Sequence, residues 1–257
     1  MFAIYKKEMR SYFINPIGYV FVGIFLVLSS LLCCYTTIQS NSYSTVSYFM
    51  IMIFALIILI PLLTMRSLSE ERKLKTEQLL LTSPVSITSM VLGKYLASLT
   101  MFAGCVLFSC INFIPLYIVG AIERRGDPYP VTHIGPVTSE ILGSLLAVLL
   151  IGAAFIGIGL FISSLTENQL SAAVITIAVI LSMVVLGFLN DIGSDAEGTR
   201  LITSPAVRFV IDWISVFSRY SNFTYGVLDI AALIYFLSIA GVFVFLTVRV
   251  YEKRRWG

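Results

Sequence analysis

Six stretches of the sequence, 17–38, 46–65, 95–120, 141–165, 170–189 and 230–248, contain no Asp, Glu, Lys, Arg or His. Each is close to the roughly 20 apolar residues that a helix needs to cross a bilayer core about 30 Å thick. The runs are continuous, not alternating over segments of roughly 10 residues as barrel strands do, so they predict helices. Composition agrees: 58% of the 257 residues are hydrophobic and 12% are charged, against about 25% charged in a soluble domain. A soluble chain this short cannot hide so much apolar surface from water. The expected fold is all-α and membrane-integral, with six transmembrane helices. The first run is longer than the apolar region of a cleavable leader and no small-residue cleavage site follows it, so it is expected to be retained.

Lysines and arginines orient the spans. With both termini on one side, that side collects Lys6, Lys7, Arg10, Arg66, Arg72, Lys73, Lys75, Lys94, Arg249, Lys253, Arg254 and Arg255. The other side has Arg124, Arg125, Arg200, Arg208 and Arg219. Every lysine is on the first side, which the positive-inside rule assigns to the cytoplasm.

The segments between spans differ in character. Residues 1–16 read as an amphipathic helix with Phe2, Tyr5, Met9, Tyr12 and Phe13 on one face. Its cations Lys6, Lys7 and Arg10, with Arg254 and Arg255 at the other terminus, suit an anionic lipid surface. The loop 66–88 is dense in both signs of charge. Ser67 followed by Glu70 fits a capping box, and Ser83-Pro84 predicts the end of that helix; a solvated charged hairpin is the alternative. The opposite loop, 121–136, is rich in Gly and Pro and reads as irregular. The segment 190–229 carries Arg208, Asp212, Ser215 and Arg219 at helical spacing among apolar residues, which predicts an interfacial helix. A seventh span is disfavoured, because it would bring Arg208, Asp212 and Arg219 into hydrocarbon.

Several chemistries lack their residues. Gly93-Lys94 is followed by Tyr95 and has no upstream glycine, so there is no phosphate loop and no ATP site is expected. His133 is the single histidine and lies in a loop; no metal or catalytic cluster forms around it. Cys33, Cys34, Cys105 and Cys110 lie in or beside apolar runs and read as small hydrophobes. A net charge of +3 with no separate basic stripe excludes a nucleic-acid partner. Uncharged spans argue against an ion-coupled pump, which needs ionisable groups at membrane depth. Ser29, Ser30 and Asn112 read as interhelical contacts, as do Ala153 with Gly157 and Gly159 with Ser163, and Pro61 and Pro115 as kink sites. Asn222-Phe223-Thr224 matches a glycosylation triplet of a kind frequent by chance.

The charged loop also carries a resemblance. Glu70 and Glu71, then Thr76, Glu77, Leu79, Leu80 and Pro84, resemble the loop pattern of ABC-2 type permeases, especially the gliding-motility-associated branch; Lys75 stands where the family usually has glycine. Residues 5–13 with 15–19, and 214–247 with Gly226, Asp229 and 235–237, are similar to the family's opening and closing segments. The resemblance implies one transmembrane domain over 1–257 with six spans, paired with a second copy or paralogue in the inner membrane of a bacterial cell. It implies a separate ABC ATP-binding subunit that holds ATP and Mg, while this chain binds no cofactor and is no enzyme. It places the coupling helix in 66–88, with Glu70, Glu71, Arg72, Thr76, Glu77, Leu79 and Leu80 carrying ATPase contact, and allows an auxiliary membrane-anchored subunit. The function so implied is an exporter permease; the alternative is a non-transporting mechanical or assembly module driven by the same ATPase.

Overall fold

The structure is a computed structural model that describes residues 1–14, 16–40, 43–73, 86–126, 135–192, 215–227 and 229–256. These residues are all-helical, and six helices are long and apolar enough to cross a membrane. The elements are α1 (Phe2–Ile14), α2 (Pro16–Cys33), α3 (Val46–Thr64), α4 (Ser69–Lys73), α5 (Ile87–Ser109), α6 (Ile114–Gly126), α7 (Thr138–Leu165), α8 (Gln169–Ile192), α9 (Phe217–Thr224) and α10 (Ile230–Trp256). A π-helical turn, Cys34–Ile38, extends α2. The third span is compound: α5 and α6 join through a 3-10 turn at Cys110–Phe113. Pro115 explains the break, because it has no N–H to offer the Ile111 carbonyl, and the Ile114 N–H takes that oxygen instead. Pro61 lies inside α3, which continues beyond it.

The third span differs from expectation at both ends. It starts at Ile87, two turns before the uncharged run, and so takes Lys94 into the helix. Helix also persists to Gly126, where an irregular loop was expected; His133 and the rest of 127–134 lie outside the described residues.

The fourth span, α7, is the centre of the bundle. Its apolar window is 72% buried, against 28–56% for the other five spans. The small residues that predict close packing there do make it. A Cβ on Gly157 would stand 3.3 Å from the Ala240 backbone of α10, and one on Gly159 would stand 2.3 Å from Thr64 Oγ1 of α3. With lipid as apolar as leucine, such close backbone approach is what drives helix association in a bilayer.

The N-terminal helix does not present the face expected of it. Ile4, Tyr5, Glu8, Met9 and Tyr12 are turned toward the protein, whereas Phe2 and Phe13 are 77% and 52% exposed. The cause is a tight turn into the first span. A Cβ on Gly18 would lie 1.9 Å from the Tyr12 carbonyl oxygen, so only glycine admits this reversal. α1 is thereby laid along α5. Tyr5 OH donates to Thr100 Oγ1 at 3.3 Å, and Tyr12 OH shares a hydrogen with Ser98 Oγ at 3.1 Å.

At the far end, the expected interfacial helix falls largely in 193–214, outside the described residues. Its continuation, α9, is not a helix lying free on lipid: Tyr220 and Phe223 are buried, and the Phe223 carbonyl abuts Gly143 of α7. The Asn222 amide of the glycosylation triplet donates to Asp229 Oδ2 at 2.9 Å, while Asp229 Oδ1 accepts the Ala231 and Ala232 N–H groups that open α10. That Asn222 hydrogen bond, with those N–H groups and Arg219 nearby, holds the Asp229 carboxyl below its ordinary range.

The packing at α7 is testable with two glycines. Gly159→Leu forces a side chain into Thr64 and is expected to destabilise by roughly 1–3 kcal/mol, as overpacking does. Gly104 faces open space, so Gly104→Ala should leave the thermal midpoint in detergent unchanged or raised. Equal midpoints for the two variants would remove α7 as the packing centre.

Candidate functional site

Both termini, the segment after α3, the start of α5 and the end of α7 meet at one end of the bundle. The segment leaves α3 through a turn at residues 65–68 and forms the short helix α4. Three sets of contacts fix it there.

The first is ionic. Lys94, two turns into α5, is 2% exposed. Its ammonium donates to Glu8 Oε1 of α1 at 3.0 Å, to Glu71 Oε1 of α4 at 2.9 Å, and to the Ser67 carbonyl at 2.8 Å. All three N–H donors are thus used. Both carboxylates are themselves largely buried, at 16% and 17% exposure. Gly93 makes room for this approach: a Cβ there would press on Ile4 of α1 at 3.2 Å.

The second is a cap supplied by a distant span. Ser163 Oγ of α7 accepts the N–H groups of Leu68 and Ser69 at 3.3 and 3.1 Å and donates to the Met65 carbonyl. The expected capping box of Ser67 and Glu70 therefore does not form. Glu70 instead takes the Arg66 guanidinium in a two-pronged pair, Nε to Oε2 at 2.8 Å, and α4 begins at Ser69. A serine from another helix replaces the local cap, because it can reach two orphan N–H groups of the first turn at once.

The third is at the end of α7. Arg72 donates to the Leu165 carbonyl at 2.8 Å and pairs with Glu167 at 2.9 Å, and Arg254 of α10 donates to the Ser164 carbonyl at 2.7 Å. Two guanidinium groups thus satisfy carbonyls that a helix C-terminus leaves open, where the helix dipole also favours cations.

Of the residues singled out in the sequence, the structure brings Glu70, Glu71 and Arg72 together on α4, Glu70 tied to Arg66 in the preceding turn, Glu71 to Lys94 of α5 and Arg72 to the end of α7. Thr76, Glu77, Leu79, Leu80 and the Ser83-Pro84 break lie outside the described residues. Lys6, Lys7 and Arg10 are exposed on α1, and Arg255 is exposed on α10, whereas Arg254 is turned to α7. Glu8, Lys94 and Ser163 were not singled out as a cluster. The readable signal is the four-residue spacing of Ile4, Glu8 and Tyr12. A carboxylate inside an apolar stripe needs a buried partner, and Lys94 is the cation at the matching span end.

A family profile described as ABC-2 family transporter protein matches residues 26–248. The chain belongs to the ABC-2 transporter family. No curated protein matches the sequence. The match makes this a permease-type subunit of an ABC transporter, a kind of chain whose partner is an ABC ATP-binding subunit. It begins within α2, so α1 and Glu8 lie ahead of the matched region and their part in the ABC-2 permease rests on geometry alone.

The ion cluster yields a cycle of variants. Lys94→Met strands two carboxylates and is expected to destabilise by roughly 3–5 kcal/mol, as loss of one partner from a buried pair does. Adding Glu8→Gln and Glu71→Gln to Lys94→Met should recover most of that loss. Thermal or denaturant unfolding in detergent measures both; additive losses in the triple variant would show that the three groups do not interact.

Proposed function

We propose that this chain is the membrane subunit of an ATP-driven exporter, lying in a bacterial inner membrane with both termini in the cytoplasm. A separate ATP-binding subunit, which holds ATP and Mg, docks on the 66–88 loop, and a second permease copy or paralogue completes the translocation unit. The observation that carries the reading is the anchoring of α4 to α5 and α7, and through Lys94 to α1. A short helix fixed on three sides cannot shift alone. A push on it is passed to the third and fourth spans and to the N-terminal helix, as a rigid-body transition requires.

Glu71 and Arg72 act in this reading as positioning residues, holding α4 against Lys94 and the end of α7. Glu70, with Thr76, Glu77, Leu79 and Leu80 beyond it, forms the surface offered to the ATPase. Lys6, Lys7, Arg10, Arg254 and Arg255 stand at the level of anionic headgroups. The motif order in 66–86 supports the gliding-motility-associated branch, and with it an auxiliary membrane-anchored partner. The spans in their uncharged stretches carry no ion-coupling group, so ATP is the energy source that fits.

Purification in mild detergent is expected to bring down a stoichiometric protein with a phosphate loop, identified by mass spectrometry. In that complex the permease should stimulate ATP hydrolysis. Reversing the two acids assigned to that surface, Glu70→Lys with Glu77→Lys, should leave insertion intact and abolish the stimulation. Undiminished stimulation in the double variant would contradict this role for the loop.

A further inference from the structure

A cavity of about 220 Å³ opens beside the ion cluster, between α1, α2, the end of α3 and α4. Its lining divides by chemistry. Phe21, Leu62 and Leu63 make one part apolar, and Lys7, Arg66 and Glu70 make another ionic. Glu8, Lys94 and Glu71 also face it.

Three features narrow the occupant. The first is size: pockets that enclose a whole drug-sized ligand start near ~300 Å³, so this one takes the head of a molecule whose remainder stays outside. The second is level. α1 packs along residues 93–100 of α5, where the uncharged stretch of the third span begins. Phe13 and Ile14, at the end of α1 next to the cavity, are 52% and 65% exposed. The cavity therefore lies where headgroups meet acyl chains, and an amphiphile can leave its tails against the exposed apolar end of α1. The third is charge. The lining holds three cations, Lys7, Arg66 and Lys94, and three carboxylates, Glu8, Glu70 and Glu71. Arg66 and Glu70 neutralise each other, and Lys94 offsets only one of the two charges of Glu8 and Glu71, so the lining has one cation, Lys7, and one negative charge in excess, which suits a ligand bearing both signs. Lys7 makes no ion pair among the described residues, which leaves its ammonium for a phosphate. Carboxylates accept hydrogen bonds, so the ligand's cation gains most if it has N–H groups to give, as a primary ammonium has and a quaternary one lacks.

We propose that this cavity holds the headgroup of a zwitterionic phospholipid with a primary ammonium, its phosphate toward Lys7 and its ammonium toward Glu8 and Glu71, whose two carboxylates share the single Lys94 ammonium. A headgroup there touches the N-terminal helix, the first two spans and α4 at once, and so fills the seam beside the ion cluster. The site stands whether or not the chain exports anything, because it is read from α1 to α4 and not from transport.

Native mass spectrometry of the delipidated full chain tests it. Phosphatidylethanolamine, phosphatidylcholine and phosphatidylglycerol of identical acyl chains are added separately at equal concentration, with glycerophosphoethanolamine as the tail-free headgroup. The expected result is one phosphatidylethanolamine retained per chain, at least tenfold in preference to phosphatidylcholine, with no retention of the tail-free headgroup. Lys7→Glu and Leu62→Trp should each abolish retention of phosphatidylethanolamine. Lys7 is exposed, so its reversal preserves the fold and decides the matter alone should Leu62→Trp not fold. Equal retention of the ethanolamine and choline lipids, or undiminished retention of phosphatidylethanolamine by Lys7→Glu, overturns the proposal. Stronger retention of phosphatidylglycerol would assign the lipid to the basic face of α1 instead. Binding of the tail-free headgroup as tightly as the lipid would make this a site for a soluble ligand.

Discussion

A buried ammonium held between two carboxylates organises one end of this protein. Taking charges out of water carries a penalty of several kcal/mol per ion, offset only when geometry is good and every donor is used. Lys94 meets that condition with Glu8, Glu71 and the Ser67 carbonyl. The requirement works in both directions. Helix α1 cannot leave α5, and α4 cannot leave either, without stranding charge in a place with little water. The cluster thus fixes which elements share a fate, more than it adds to stability. A well-packed apolar replacement of the whole set could match it in stability without imposing that linkage.

The rest of the bundle is tied to this end through α7. α7 brings Ser163 to α4 and presents its C-terminal carbonyls to Arg72 and Arg254. The same helix packs Gly159 on Thr64 of α3 and Gly157 on Ala240 of α10. Contacts at backbone distance leave little slack, and close-packed interiors transmit displacement instead of absorbing it. At the opposite end Gly143 seats α9 against α7, so the central helix links the loop at one end to the helix before the last span at the other. In this ABC-2 permease the central helix is thus a stiff element that spans from one end of the bundle to the other.

Much of this was legible in the sequence, for identifiable reasons. Apolar runs without charge have one stable solution in a bilayer, so the six helices follow from Ile17 onward with little ambiguity. The small residues of α7 announce close packing because no other property of Gly157 and Gly159 suits a lipid-facing position. The boundaries were harder. Lys94 reads as a flanking cation when only its neighbours in sequence are considered, and its burial depends on Glu8 and Glu71, each more than 20 residues away. Ser67 and Glu70 satisfy a local capping pattern, but Arg66 takes the Glu70 carboxylate, the Ser67 N–H goes to the Thr64 carbonyl, and Ser163 caps Leu68 and Ser69. On α1 the periodicity correctly groups Tyr5, Met9 and Tyr12 opposite Lys6, Lys7 and Arg10, but the face that packs is rotated, taking in Ile4 and Glu8 and leaving Phe2 and Phe13 exposed. In each case the deciding partner is distant in sequence, where periodicity carries no information.

The central claim is that α1, α4 and the start of the third span move as one body. Pulsed electron-spin distance measurements between labels at Lys6→Cys and Lys73→Cys test it most directly, in a variant lacking Cys33, Cys34, Cys105 and Cys110. Both label sites are exposed. The chain is measured in complex with its ATPase, with a second label pair on the ATPase subunits to report their closure. The account predicts one unchanged Lys6–Lys73 distance distribution in the nucleotide-free and ATP-bound states, with broadening when Lys94→Met is added. A distribution that shifts with ATP while the ion cluster is intact would contradict it, because the loop would then be moving past the helix to which Lys94 is said to bind it.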